Sequence, residues 1–202
     1  MARIGDLFGS SFPTILHGKK QSAADLDSTL HALAQLFNSE NLQNWFIAYG
    51  TLLGFVRSGR CIENDDDVDA IIDGKQLPQL FAALDRHGVS YGTATKPGED
   101  FSNEAEKKKP RKEDRVVNFV RIWSFPTIVD IYIANVSGSD FYDSWNKVRW
   151  TECLPLHKAS FTTESRDPVT IWLPSGSEKK LAKRYGKDWR TPRNTKGKGG
   201  TL

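Results

Sequence analysis

Three aspartates stand in segments that could bring their side chains together on neighbouring β-strands. Residues 67–72 alternate between polar and apolar types, which predicts a strand with Asp67 and Asp69 on one face and Val68 on the other. Asp130 lies in a second apolar segment and is predicted to face away from its immediate neighbours. If the two strands are adjacent, the three carboxylates meet and repel one another unless a cation compensates. Oxygen ligands of this kind suit Mg²⁺ or Mn²⁺.

Carboxylates around a divalent cation are typical of enzymes that catalyse in-line attack on phosphorus. The metal bridges phosphate oxygens, and a carboxylate can accept the proton of the nucleophile. Asp67, Asp69 and Asp130 are therefore the predicted catalytic and metal-binding residues, and Asp65 is a further candidate, either as a ligand or as a support. A run of aspartates alone is usually a solvated turn, so the hypothesis depends on its combination with Asp130 and with a glycine upstream.

That glycine is Gly50, which stands with Thr51 at the start of a short predicted helix. Glycine lets phosphate oxygens approach backbone N–H groups, and threonine adds a hydroxyl. Both residues are predicted to bind substrate phosphate. Two arginines are open to two interpretations each: Arg57 could neutralise transition-state charge or be structural, and Arg121 could clamp a phosphate or form a salt bridge with Asp130.

The remaining pattern predicts a single domain of class α/β (α+β), because helical and strand signals interleave along the chain. Residues 1–20 are predicted to form a loosely ordered lead-in, residues 21–193 the domain and residues 194–202 a basic flexible tail. Ser22 and Asp25 form a predicted capping box for the first helix. Helices are predicted at residues 23–38, 51–57, 77–84 and 177–185; strands at 45–49, 67–72, 89–95, 116–123 and 127–136; an exposed loop at 96–114.

The distribution of apolar residues argues against a membrane-spanning or secreted protein. No apolar stretch approaches the roughly 18–20 residues that cross a bilayer, and the N-terminus has no hydrophobic signal run. The only two cysteines, Cys61 and Cys153, have no neighbours at metal-ligand spacing, which favours reduced thiols. We therefore expect a cytoplasmic protein with no integral membrane segment.

Basic residues concentrate in residues 107–115 and 179–198, although the net charge is only +3. Such clusters attract nucleic acid, phosphorylated ligands or anionic surfaces, or are simply solvated. Acidic residues interrupt the first cluster, which argues against a nucleic-acid partner.

Two motif blocks stand out in the sequence. The first block runs Gly50-Thr51-Leu52-Leu53-Gly54, Arg57, Gly59, Ile62 and Asp65-Asp66-Asp67-Val68-Asp69. The second comprises Leu154-Pro155-Leu156, Phe161, Leu173-Pro174 and Lys183-Arg184-Tyr185-Gly186-Lys187-Asp188-Trp189. With these blocks the sequence resembles the LicD family, which includes fukutin and fukutin-related protein, over roughly residues 25–193. The family often has Pro-Trp where this chain has Glu63-Asn64, a departure that concerns the entrance to the site.

This resemblance implies a nucleotidyltransferase fold, a small mixed sheet flanked by helices. It also implies transfer of a phospho-alcohol, such as phosphocholine or ribitol phosphate, from a CDP-linked donor to a sugar hydroxyl of a glycan, with release of CMP. Asp67 and Asp69 would hold Mg²⁺ on the donor diphosphate, Asp130 would complete the site, and Gly50 and Thr51 would contact the phosphates.

Two other functions remain open. A nucleotidyltransferase of the same fold would move NMP from an NTP to a nucleic acid, a protein or a small molecule. A non-catalytic module would bind a polyanion through the basic tail and would be indifferent to loss of Asp67.

Overall fold

The structure is a computed structural model that describes residues 18–97 and 116–192. Residues 1–17 of the predicted lead-in, 98–114 of the predicted loop and the whole predicted tail lie outside this range. The helices are α1 (Ala23–Ser39), α2 (Tyr49–Ser58), α3 (Leu77–Arg86) and α4 (Ser177–Tyr185). The strands are β1 (Trp45–Ile47), β2 (Asp67–Asp73), β3 (Tyr91–Ala94), β4 (Phe119–Ile122), β5 (Ile128–Ser137), β6 (Asp140–Asp143), β7 (Val148–Trp150), β8 (His157–Thr163) and β9 (Arg166–Leu173).

A mixed seven-stranded sheet forms the centre of the described structure, with the order β1-β2-β5-β4-β3. β2 and β5 pair in parallel, whereas the other ladders of this sheet are antiparallel. β6 extends the second half of β5, and β7 pairs with β6. β8 and β9 form a separate antiparallel hairpin. The predicted class, α/β with a small mixed sheet flanked by helices, is confirmed.

Helix α1 follows from its sequence pattern. The Ser22 side chain accepts a hydrogen bond from the backbone N–H of Asp25, which caps the first turn. Leu26, Leu30 and Leu33 recur at helical spacing and are fully buried. Burying each such side chain contributes about 1.5–3 kcal/mol. This face packs on the β8–β9 hairpin and on β2, so α1 supports the strand that carries the aspartates.

The chain leaves β1 earlier than predicted. β1 ends at Ile47 and α2 begins at Tyr49, so the predicted strand to residue 49 is two residues too long and the predicted helix starts two residues late. Tyr49 adopts a left-handed backbone conformation with φ 44°, which is unusual for a residue with a side chain. Contacts of the Tyr49 ring and hydroxyl, described below, hold it there.

Both faces of β2 are covered. The alternation in residues 67–72 predicts one buried face, but Val68, Ala70, Ile71 and Ile72 are all fully buried. The reason is the position of β2 between β1 and β5, with α1 and α2 packed against it. The aspartates of β2 therefore stand at the edge of the core and not on an open sheet face.

No strand is predicted from the sequence between residues 137 and 176, yet four strands lie there. Apart from the buried anchors Phe161 and Ile171, the residues of β8 and β9 are exposed or half-buried, so little hydrophobic alternation marks these strands. Within the described residues, no helix combines the length and the apolar character needed to span a membrane. Cys61 and Cys153 are buried free thiols.

Candidate active site

The aspartates gather where β2 and β5 begin beside the N-terminus of α2. One carboxylate oxygen from each of Asp65, Asp66 and Asp67 lies within 4.8 Å of the other two. The parallel register places Asp69 directly opposite Asp130. The strand pairing on which the sequence hypothesis depends is thus present. Asp66 was not predicted as a ligand, and its place in the acidic run was the available signal.

Asp69 is held by hydrogen bonds to two neighbouring elements. Its Oδ2 accepts a hydrogen bond from the backbone N–H of Gly50 at 3.2 Å, and its Oδ1 accepts one from the Tyr132 hydroxyl at 3.1 Å. Its own backbone N–H donates to the Thr51 hydroxyl oxygen at 2.8 Å. These three bonds fasten β2 to the start of α2 and to β5.

Position 50 requires glycine for lack of space. A Cβ atom at Gly50 would lie 2.5 Å from an Oδ atom of Asp65 and 3.6 Å from one of Asp69. Real Cβ atoms do not approach oxygen so closely, so any side chain here would displace a site carboxylate. Thr51 is only 2% exposed, and its hydroxyl is engaged by the backbone of Asp69. In this structure, Thr51 positions β2.

Burial and mutual repulsion dominate the electrostatics of the cluster. Burial raises the pKa of Asp67 and of Asp69 well above the usual range, and the charges of neighbouring aspartates raise it further. Burial, together with the charge of Asp66, raises the pKa of Asp65 to about 6. Crowded carboxylates with an all-oxygen donor set fit a divalent cation such as Mg²⁺ or Mn²⁺, which would supply the missing positive charge.

Arg121 is the salt-bridge partner of Asp130. The two residues are opposite each other on β4 and β5, and the guanidinium donates to both carboxylate oxygens at 2.7 Å. Asp130 is 3% exposed and Arg121 is 8% exposed. Paired, two-point contacts of this kind are among the strongest hydrogen bonds in proteins. Of the two roles left open by the sequence, the structure supports the ion pair.

Arg57 is not part of this cluster. It lies seven residues after Gly50 on α2, or about 10 Å along the helix. Its Nη2 donates to the backbone carbonyl of Trp189, so it joins α2 to the segment after α4. The structure favours the structural interpretation of Arg57.

Tyr49 and Asp143 belong to the site and were missed in the sequence. Asp143 is fully buried and accepts hydrogen bonds from the Tyr49 hydroxyl and from the backbone N–H groups of Trp145 and Asn146. The Tyr49 ring meets the Tyr132 ring edge-on, with centroids 4.9 Å apart. No periodicity or motif links residues 94 positions apart, so only the folded structure could reveal this support for Gly50.

Comparison with known proteins defines the class of this domain. Residues 43–166, more than half of the chain, match a family model described as "LicD/FKTN/FKRP, nucleotidyltransferase domain". The chain therefore belongs to the LicD/FKTN/FKRP family, as the motif blocks predicted. Membership in this family points to a transferase. A search of curated proteins found no match.

Several solved structures are similar at low sequence identity. The antibiotic-resistance factor ANT(2'')-Ia, solved with adenylyl-2''-tobramycin, has 15% identity and a TM-score of 0.44, with 72% of this chain and 68% of that chain covered. A solution structure of the same factor gives 14% identity and 0.45, with 72% and 64% covered. The lincosamide antibiotic adenylyltransferase LnuA, bound to lincomycin, gives 11% identity and 0.45, with 76% and 82% covered.

Proposed function

We propose that this protein is a metal-dependent phosphotransferase that moves a phospho-alcohol from a CDP-linked donor to a sugar hydroxyl of a glycan and releases CMP. The transferred group would resemble phosphocholine or ribitol phosphate. The observation that carries the proposal is the convergence of the acidic run with Asp69 and Asp130 beside Gly50, in a chain of the LicD/FKTN/FKRP family.

Each site residue would have a distinct role that follows from its position. Asp67 and Asp69, with Asp65 and Asp66 as neighbours, would hold Mg²⁺ or Mn²⁺. The bound cation would neutralise charge on the donor diphosphate. Asp130 would remain fixed by Arg121 and would complete the acidic wall of the site. Gly50 leaves room for the Asp65 carboxylate close to the backbone, and its N–H would hold Asp69 in place.

In the reaction, the sugar hydroxyl oxygen would form a bond to the phosphorus that carries the alcohol. The bond from that phosphorus to the oxygen of CMP would break, and CMP would leave with the electron pair. The hydroxyl proton would pass to a site carboxylate.

The first test is calorimetric titration of the wild-type protein with CDP-choline, CDP-ribitol, CTP and ATP, each with and without Mg²⁺. We expect Mg²⁺-dependent binding of a CDP-alcohol. Because Asp69→Asn removes a negative charge proposed to hold the cation and keeps the shape of the side chain, we expect it to abolish CMP release while the protein stays folded. Glu164→Gln, an exposed carboxylate in the turn after β8, is the matched control.

Other outcomes would contradict the proposal. Preference for an NTP with release of pyrophosphate would indicate nucleotidyl transfer. Binding of polyanions that is indifferent to Asp67→Ala, with no nucleotide bound, would indicate a non-catalytic module. Turnover retained in folded Asp69→Asn would remove this residue from the catalytic set.

A further inference from the structure

Helix α4 brings a second arginine to the site from the far end of the chain. The guanidinium of Arg184 lies over the ring of Tyr49, with its carbon 4.3 Å from the ring centroid. Tyr49 is the residue immediately before Gly50, whose N–H donates to Asp69. Arg184 thus reaches the start of α2, where the Gly50 N–H binds the Asp69 carboxylate.

Tyr185, the residue after Arg184, is within electrostatic range of the acidic run. Burial raises the pKa of the Tyr185 phenol, the positive charge of Arg184 opposes this rise, and the charges of Asp69 and Asp65 add to it. Tyr185 is therefore within electrostatic reach of both the arginine and the carboxylates. With Arg184 over Tyr49, the last turn of α4 lies beside the start of α2.

Arg184 differs from Arg121 and Arg57 in the acceptors of its guanidinium N–H groups. Arg121 donates to Asp130, and Arg57 donates to the Trp189 carbonyl. Arg184 forms no ion pair with any carboxylate in residues 18–97 and 116–192. A guanidinium carries five N–H donors, and stacking on an aromatic face occupies none of them. The stacking on Tyr49 holds the group in place. One donor bonds the Tyr185 hydroxyl, and the others remain for a further acceptor.

An acceptor of fitting charge is a phosphate group. The carboxylates attract cations and repel anions, so a donor diphosphate needs positive groups on its other side. A planar guanidinium can bind two phosphate oxygens at once. Asp143 fixes the Tyr49 hydroxyl, so the ring beneath Arg184 is itself held by a buried group.

We propose that Arg184, stacked on Tyr49, binds a phosphate group of the diphosphate-containing donor opposite the carboxylates. This inference rests on the proposed function for the identity of the donor. It requires only that a diphosphate occupies the site, so it can be tested separately.

The test measures Kd values by calorimetry with Mg²⁺ for three probes: CDP, inorganic pyrophosphate and cytidine. We expect Arg184→Gln to weaken CDP and pyrophosphate roughly tenfold to a hundredfold, as for loss of charge-assisted hydrogen bonds, and to leave cytidine unchanged. Arg184→Lys keeps the positive charge but lacks the planar guanidinium. Its Kd values for CDP and pyrophosphate should lie between those of wild type and Arg184→Gln. Lys183→Gln, an exposed cation on the same helix, should bind all three probes as the wild type does.

The outcomes separate the two proposals. If Arg184→Gln binds CDP and pyrophosphate as tightly as the wild type, the assignment of Arg184 is overturned and the proposed function is unaffected. If wild type binds pyrophosphate but no cytidine nucleotide, the CDP-linked donor is wrong, and the effect of Arg184→Gln on pyrophosphate still decides the role of Arg184. If wild type binds neither, both proposals fail. Equal unfolding midpoints of the variants establish that they are folded.

Discussion

At the residue scale, an ionised Asp65 lowers the stability of the folded protein. Its pKa is about 6 in the folded protein, against an ordinary value of 3.8. A raised pKa in the folded state means that the associated stability is fully present below the unfolded value and is lost as pH rises through about 6. In the absence of a cation, an ionised Asp65 thus costs the folded protein up to about 3 kcal/mol.

We therefore expect Asp65→Asn to be more stable than wild type at about pH 7.5 in the presence of a chelator, by roughly 1–3 kcal/mol. The difference should vanish at about pH 4, where the aspartate is largely protonated. Urea unfolding at both pH values measures it. Glu164→Gln should show no such pH-dependent gain. A variant less stable than wild type at the higher pH would contradict this account.

The carboxylates themselves were predictable, because the two-residue period of a strand assigns Asp67 and Asp69 to one face. Their partners were not. Arg121 could have served Asp130 or a phosphate, and only the register of β4 on β5 decides between them. Arg184 reaches Tyr49 across 135 positions of sequence, which no local pattern encodes.

At the scale of elements, the start of α2 depends on β6 through one hydrogen bond. The Tyr49 hydroxyl donates to Asp143, a fully buried carboxylate. We expect Tyr49→Phe to lower the free energy of unfolding by about 1.5–3 kcal/mol, the range for a hydrogen bond to a charged group. Chemical denaturation provides the measurement.

The same variant should also weaken Mg²⁺ binding, because Tyr49 precedes the glycine that contacts Asp69. Tyr142→Phe, which removes a hydroxyl from the same strand as Asp143, is the matched control and should change neither quantity. Unchanged stability and metal affinity in Tyr49→Phe would show that Asp143 does not position α2.

The helices and the strands β1 to β5 were predicted from sequence, and the strands β6 to β9 were not. α1 and α3 carry continuous apolar faces, and β2 and β5 are dense in β-branched residues, so local signals agree with the fold. β6 and β7 are short, and β8 and β9 each bury a single side chain, so these strands form because partner strands offer hydrogen bonds. The local composition of a strand does not encode which strand it pairs with.

At the scale of the whole molecule, the family match and the folding unit have different boundaries. The match spans residues 43–166, so it omits α1 and α4 and ends at the first residue of β9. Yet α1 contributes fully buried leucines to the core, and β8 pairs with β9. The folded structure therefore needs residues on both sides of the matched segment.

Divalent cations should stabilise the whole protein if the carboxylates bind them. We expect millimolar Mg²⁺ or Mn²⁺ to raise the unfolding temperature, and to raise it more at about pH 7.5 than at about pH 5, because protons and cations compete for the same oxygens. Scanning calorimetry of wild type and Asp67→Asn measures the effect, which the variant should lose. Equal stabilisation of both proteins would place the cation elsewhere.

The parallel pairing of β2 with β5 also bears on the order of folding. More than fifty residues, including α3, β3 and β4, separate the two strands along the chain. Closing so long a crossover is slow compared with forming a helix or a hairpin. We therefore expect Asp69 and Asp130 to meet after the local helices and hairpins have formed, so that those early stages of folding proceed without their repulsion.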